Sequence, residues 1–142
     1  MIERLSGAAC IQWLSWTAAL CLAATLLAHA AGDRVPSGEW GGDHVGLTVT
    51  EQGARAEFDC AFGEINQPLL IDAYGRFDVP GSYAVERGPE RDGGPQRRPA
   101  RFAGQMNGDS LMFKVSLTES SESLGSFTVV RGRAPNGVRK CR

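Results

Sequence analysis

The chain has 142 residues, with 15 basic and 16 acidic side chains and a formal net charge of −1. This length allows one domain and no more. Aromatic residues make up 8% of the sequence and do not interleave with the basic residues, which argues against a nucleic-acid-binding surface.

The first 30 residues predict an export signal. Arg4 precedes an apolar run from Ala8 to Ala30, and the run ends in Ala-His-Ala, the small-x-small pattern of a cleavage site. We therefore expect residues 1–30 to form a signal-peptide helix, and residues 31–142 to be the mature protein in the periplasm or outside the cell. The alternative is an uncleaved anchor, because the run is just long enough to span a bilayer. Only then would we expect contact with the membrane.

The four cysteines divide between these two parts. Cys10 and Cys21 lie in the signal, while Cys60 and Cys141 remain in the mature chain. An even pair in an oxidising compartment predicts a disulfide. The alternative is a metal site made of these two cysteines, His44 and an aspartate, but it lacks the paired spacings typical of such sites.

The first strands are predicted from alternation. Val45, Leu47 and Val49 are separated by small or polar residues, the period-two pattern of a half-buried strand. After a turn the pattern resumes with Ala56, Phe58 and Cys60 on one face. Trp40, the only tryptophan of the mature chain, is expected to plug one end of the fold.

The middle of the chain predicts a further hairpin. Leu69 and Ile71 share a face, and the turn sequence DAYG at 72–75 is expected to bring Phe77 opposite Ile71 and Val79 opposite Leu69.

Three other stretches depart from the strand pattern. Residues 62–68 are expected to be irregular, and Pro80-Gly81 is expected to bend or bulge a strand without ending it. Residues 88–99 contain no apolar side chain and predict a solvated loop, either disordered or with a role at the mouth of the fold.

The last third predicts two hairpins. Asn107-Gly108 is a preferred two-residue turn, and 119–123 forms a second turn. The expected inward pairs are Phe102 with Phe113, Gly104 with Leu111, Ala100 with Val115, Val115 with Phe127 and Phe113 with Val129. A short final strand is predicted at 138–141.

Together these elements predict an all-β domain, a small antiparallel up-and-down β-barrel of seven to eight strands over residues 31–142, with a β-sandwich as the alternative. The expected interior consists of Trp40, Val45, Leu47, Val49, Phe58, Phe77, Tyr83, Phe102, Phe113, Val115 and Phe127. Gly46, Gly104 and Gly125 lie within strands, where they either leave a cavity or relieve crowding.

Charge is distributed unevenly along the chain. Residues 31–86 carry 3 bases and 10 acids, 3 − 10 = −7, whereas residues 87–142 carry 11 bases and 5 acids, 11 − 5 = +6. We expect the two halves to face each other across a closed sheet. The alternative is a basic patch for an acidic envelope component, formed by Arg131, Arg133, Arg139, Lys140 and Arg142.

Few residues suggest catalysis. His44 is the only histidine of the mature chain and is expected at the rim, where Trp40 and Asp59 are the other candidates for a binding site. A hydrolytic enzyme using His44 and nearby carboxylates, or a weak metal site of His44, Glu57 and Asp59, are the chemical alternatives. The sequence predicts no cofactor and no specific metal-binding motif.

The chain resembles a family of short exported bacterial β-proteins through the segments PSGEWGGDH at 36–44, EFDC at 57–60 and KCR at 140–142. At fold level, Gly38-Glu39-Trp40 before a β-meander is similar to the lipocalin and avidin barrels. Neither resemblance implies an activity or the role of a residue. We expect a binding or interaction module of the cell envelope or periplasm, or alternatively a carrier of a small apolar ligand or metal.

Overall fold

The structure, a computed structural model, describes residues 33–86 and 94–141 and contains eight strands. The strands are β1 (Gly38–Gly42), β2 (Val45–Val49), β3 (Ala54–Phe58), β4 (Ala61–Ile65), β5 (Arg76–Val85), β6 (Arg97–Asn107), β7 (Ser110–Leu117) and β8 (Ser123–Arg131). Each strand is antiparallel to its sequence neighbours, and β8 pairs with β1, so the strands form a closed up-and-down barrel. The predicted barrel is confirmed over the alternative sandwich. The predicted signal peptide lies outside the described residues.

Alternating side chains fill the interior. All eleven residues predicted to face inward belong to the core or pack against it, although Tyr83 and Phe127 are only partly buried. Glycines on the strands make room for rings: a Cβ atom on Gly63 would lie 2.6 Å from Cζ of Phe102, and one on Gly104 would lie 2.8 Å from Cζ of Phe77. Gly104 therefore relieves crowding.

One end of the barrel is closed by its own chain. Trp40, Val35 and Leu69 are each at most 2% exposed, and the indole Nε1 of Trp40 donates to the carbonyl of Pro36 at 3.1 Å. The backbone of Val35 donates to the carbonyl of Leu69 at 2.9 Å. This arrangement agrees with the expected plugging role of Trp40.

The prediction that residues 62–68 are irregular was wrong for their first part, because β4 spans Ala61–Ile65. The sequence of β4 does not alternate between apolar and polar residues, because side chains on both faces of this strand are buried. Phe62 points outward yet is 5% exposed, since the guanidinium carbons of Arg55 and Arg97 lie 4.4 and 5.3 Å from its ring centre.

The predicted pairing of Ile71 with Phe77 and of Leu69 with Val79 was also wrong. Leu70 instead forms a bridge with Arg34, because the segment turns away from β5 to bury Leu69 at the barrel end. The turn before β5 is present, and Gly75 has a φ of 76°, a left-handed conformation that favours glycine. The expected bulge at Pro80-Gly81 is absent from the β5–β6 ladder, which continues in one register.

Both predicted hairpin registers were wrong by two residues, which leaves the inward face unchanged. Phe102 lies opposite Val115, and Phe113 lies opposite Gly104 and Phe127. The first turn is Gly108-Asp109 with a φ of 60° at Gly108, the arrangement typical of a type II′ turn.

The remaining pairs show the same two-residue shift. Ala100 lies opposite Leu117, Val115 opposite Gly125, and Leu111 opposite Val129. In the second hairpin a register irregularity at Val115/Ser116 accompanies a φ of 142° at Gly125.

The predicted loop at 88–99 is shorter than expected, because β6 begins at Arg97 and pairs Pro99 with Ser82. Residues 87–93 lie outside the described residues. The expected final strand at 138–141 was wrong, since this segment crosses the outside of the sheet rather than joining it. In the described part of the chain there is no helix of the length and apolarity needed to cross a membrane.

Candidate functional site

The C-terminal residues 132–141, here called the strap, run across the outer face of β1 and β2. The face is flat because Gly41 and Gly46 pair with each other and both point outward. A Cβ atom on Gly41 would lie 2.3 Å from the carbonyl oxygen of Arg133, and one on Gly46 would lie 2.8 Å from Cγ of Pro135. The paired glycines are therefore what allow the strap to lie against the sheet.

Backbone hydrogen bonds fix the strap at the end of the β1–β2 hairpin. Asn136 donates its N–H to the carbonyl of Gly42 at 2.9 Å, and its carbonyl accepts from the N–H of His44 at 2.6 Å. Further along, Cys60 donates to the carbonyl of Arg139 at 2.9 Å. The predicted disulfide between Cys60 and Cys141 is present and links the end of the strap to the β3–β4 turn.

His44 and Asp59, two of the residues predicted for a binding or rim site, contact each other beside the strap. Nδ1 of His44 lies 2.8 Å from Oδ2 of Asp59, and Oδ1 of Asp59 accepts from the backbone N–H of Arg139 at 2.8 Å. The imidazole also lies against Gly137, where a Cβ atom would be 3.2 Å from Cε1. Both partners of the pair thus contact the strap.

A histidine–carboxylate pair can serve as a general base when a nucleophile or a substrate lies at its free nitrogen. Among the described residues no serine, threonine or cysteine side chain forms a hydrogen bond with His44, and Cys60 is in the disulfide. The contacts of the pair with Arg139 and Gly137 indicate that it holds the strap.

Trp40, the third candidate, is not near solvent. Its side chain is 0% exposed and packs in the core, so it does not join His44 and Asp59 in an accessible site. Over residues 33–86 and 94–141 no group of three histidine, cysteine or acidic side chains is placed to bind a metal ion. Glu57, suggested above as a third ligand, forms ion pairs with Lys140 and Arg55.

Ion pairs join the acidic and basic halves of the chain, as expected from the charge pattern. Five carboxylates of the first half contact bases of the second: Asp43 with Arg133, Glu57 and Glu86 with Lys140, Glu64 with Arg97, and Asp78 with Arg101. Arg133 and Lys140, two residues of the suggested basic patch, therefore form ion pairs with carboxylates of the first half. The hydrogen bond from the Lys140 ammonium lowers the pKa of Glu57 below its ordinary value of 4.5.

The opposite side of the barrel has a bare outer face, here called the open face, formed by β5, β6 and β7. Met112 and Tyr74 are 60% and 71% exposed, and Leu70 beside them is 51% exposed. The guanidinium of Arg76 stacks at 4.9 Å over the ring of Tyr74. Apolar area of this kind on a small soluble domain is typical of an interaction surface.

An open depression of about 800 Å³ lies in this face. Its apolar lining includes Leu70, Ile71 and Phe77, and its charged lining residues are Asp72, Arg76, Asp78 and Lys114. Arg76 is paired with Asp72, and Asp78 is paired with Arg101, which lowers the pKa of the Asp78 carboxyl below its ordinary value. Within the described ranges no carboxylate lies at ion-pair distance from Lys114. The depression therefore combines apolar side chains with three paired charges and one unpaired cation among the described residues.

A comparison of the chain with protein-family models, with curated proteins and with solved structures found no match.

The sequence reasoning missed the strap and the open face. The available signal for the strap was the pair of glycines at 41 and 46 together with Pro135, Gly137 and Cys141 in one polar segment. The signal for the open face was the exposed position of Met112 between Leu111 and Phe113, which alternation alone assigns to solvent without marking it as functional.

Proposed function

We propose that this protein is an exported binding or interaction module of the cell envelope or periplasm, and that it contacts its partner through the open face. The observation that carries the proposal is the contrast between a filled interior and an outer face on which Met112, Tyr74 and Leu70 are exposed. Phe58, Phe113 and Phe127 meet across the barrel with ring centres 4.6 to 6.5 Å apart. A barrel of eight strands is just wide enough for such side chains.

The carrier alternative has less support. A small apolar ligand would need the space that Phe102 occupies against Gly63 and Gly81. The open face requires no rearrangement, because Met112, Tyr74 and Leu70 are already exposed.

The proposal is tested by photo-crosslinking in cells that export the protein. A photoreactive amino acid at position 112 lies on the open face, and one at Glu51 lies in the exposed β2–β3 turn across the barrel and serves as the matched control. We expect position 112 to give a discrete crosslinked polypeptide of the envelope and position 51 to give none. Equal crosslinking at both positions, or none at position 112, would contradict the proposal.

A further inference from the structure

Strand β5 is only partly paired on its β4 side, as β8 is on its β1 side. β5 has ten residues, but β4 pairs only with residues 82–85, because the chain leaves the sheet after Ile65 to bury Leu69. Residues 76–81 pair with β6 on one side. On the other side, the described part of the chain supplies no strand.

The direction of the peptide groups follows from two hydrogen bonds. Glu86 donates to the carbonyl of Cys60 at 2.8 Å on the β4 side, and Met106 donates to the carbonyl of Gly75 at 2.8 Å on the β6 side. Peptide groups in an antiparallel ladder alternate between the two sides. Even-numbered residues of β5 therefore point their N–H and C=O groups towards the β4 side.

Among residues 33–86 and 94–141, this alternation leaves a short row of backbone groups without a partner. The carbonyl of Arg76 accepts from the N–H of Asp72 at 2.9 Å, so the row begins with the N–H and C=O of Asp78 and continues with the C=O of Pro80. Proline within a strand is expected where its missing N–H would face an unpaired edge. The position of Pro80 agrees with this expectation.

The depression of the open face lies beside this edge. Leu70, Ile71 and Phe77 belong to its lining. Three charged residues of the lining next to this edge are in ion pairs, Arg76 with Asp72 and Asp78 with Arg101. An occupant that complements this edge therefore offers backbone donors and acceptors and apolar side chains.

We propose that the free edge of β5 accepts an extended segment of a partner polypeptide as an added strand, with alternate apolar side chains against Leu70 and Ile71. In this mode of recognition main-chain hydrogen bonds supply affinity, and alternate side chains enter adjacent pockets. The proposal rests on the open-face function above and names the chemistry of the partner.

The test is a titration of the isotope-labelled exported protein with the capped heptapeptide TVTVEVT, followed by the chemical shifts of backbone amides. We expect saturable changes at the amides of Leu70, Phe77 and Asp78. The same peptide with N-methyl groups on alternate amides keeps its side chains but loses donors to the edge, and it should no longer bind. Changes elsewhere on the barrel, no saturation, or equal binding of the two peptides would overturn the proposal.

A matched pair of variants tests the edge itself. Asp78→Ala and Asp78→Pro both remove the carboxylate and its pairing with Arg101, but only Asp78→Pro removes the backbone N–H. We expect Asp78→Pro to bind the peptide about tenfold more weakly than Asp78→Ala, the effect of about one hydrogen bond. Equal affinities would contradict the added strand. If Asp78→Pro does not fold, the N-methylated peptide on the unchanged protein decides the question.

Failure of this inference is distinguishable from failure of the proposed function. Crosslinks at position 112 without shift changes at Asp78 would reject the added strand and leave an open face that binds through side chains. Absence of both would reject the two proposals together.

Discussion

The two sides of the barrel differ in how their outer faces are covered. β1 to β4 are five residues each, and the strap, the disulfide and the Arg55 and Arg97 side chains cover their outer surface. β5 to β7 are eight to eleven residues long and leave Met112 and Lys114 exposed. The short strands depend on these added contacts for stability, whereas no such segment covers the long strands within the described residues. We propose that the covered side stabilises the fold and that the open face binds the partner.

Removing the disulfide should affect the covered side most. Cys141→Ser releases a link between residues 81 positions apart, which on the chain-entropy model lowers the free energy of unfolding by about 4 kcal/mol. We expect a lower melting temperature and faster amide hydrogen exchange in β1 to β3, with little change in β6 and β7. Unchanged melting in the presence of a reductant would contradict the assigned role of the disulfide.

A methyl group beneath the strap should have the next largest effect. In Gly41→Ala the new Cβ meets the carbonyl groups of Arg133 and Ala134, which cannot move without displacing the strap. We expect a loss of about 1–3 kcal/mol in unfolding free energy, the usual cost of overpacking. Ser126→Ala, on the exposed face of β8, is the control and should change stability by less than about 0.5 kcal/mol in urea denaturation. Similar losses of unfolding free energy in the two variants would contradict the claim that the strap side contributes more to stability.

The strap should also weaken in acid. Because the Lys140 hydrogen bond holds the pKa of Glu57 below 4.5 in the folded state, the contribution of this pair is present above pH 4.5 and is lost as the pH falls through the lowered pKa. Lys140→Ala should reduce stability at neutral pH by at most about 1 kcal/mol, since the pair is partly exposed.

The same variant should flatten the acid side of the stability profile, measured as melting temperature against pH. If the melting temperature of the variant depends on pH in the same way as that of the unchanged protein, the loss of stability in acid does not come from the Glu57–Lys140 pair. Asp78 is a second group with a lowered pKa, and its pairing with Arg101 is retained in this variant.

The smallest effect is expected on the open face. Met112→Ser removes an apolar side chain that is 60% exposed, so the free energy of unfolding should change by less than about 0.5 kcal/mol in chemical denaturation. The same substitution should weaken partner binding. A loss of stability above 1 kcal/mol would show that Met112 supports the fold and is not available for contact.

The sequence predicted the closed all-β architecture and its interior, because apolar residues such as Val45, Leu47 and Val49 alternate wherever one face is buried. It failed where both faces are covered, as at Phe62 beneath its two arginines. It also failed in the hairpin registers, because a preference for Asn-Gly turns does not determine which residue pairs across the strands. These failures concern packing between distant segments.

The candidate site followed from the sequence only as a set of residues. His44 and Asp59 were named together as a possible binding or rim site, which stays a prediction, and the structure shows a contact of 2.8 Å between them. Trp40 was named with them, yet it lies in the core because its parity on β1 points it inward. The free edge of β5 follows from where β4 leaves the sheet, which no local pattern around Pro80 specifies.

The most direct test of the central claim, that the interior is filled and binding is external, is a native mass spectrum of the protein purified from the exported fraction. We predict the mass of residues 31–142 less two hydrogens for the disulfide, with no stoichiometric small molecule. A stoichiometric added mass that remains under native conditions and is released on unfolding would contradict the claim, because it would make the barrel a carrier.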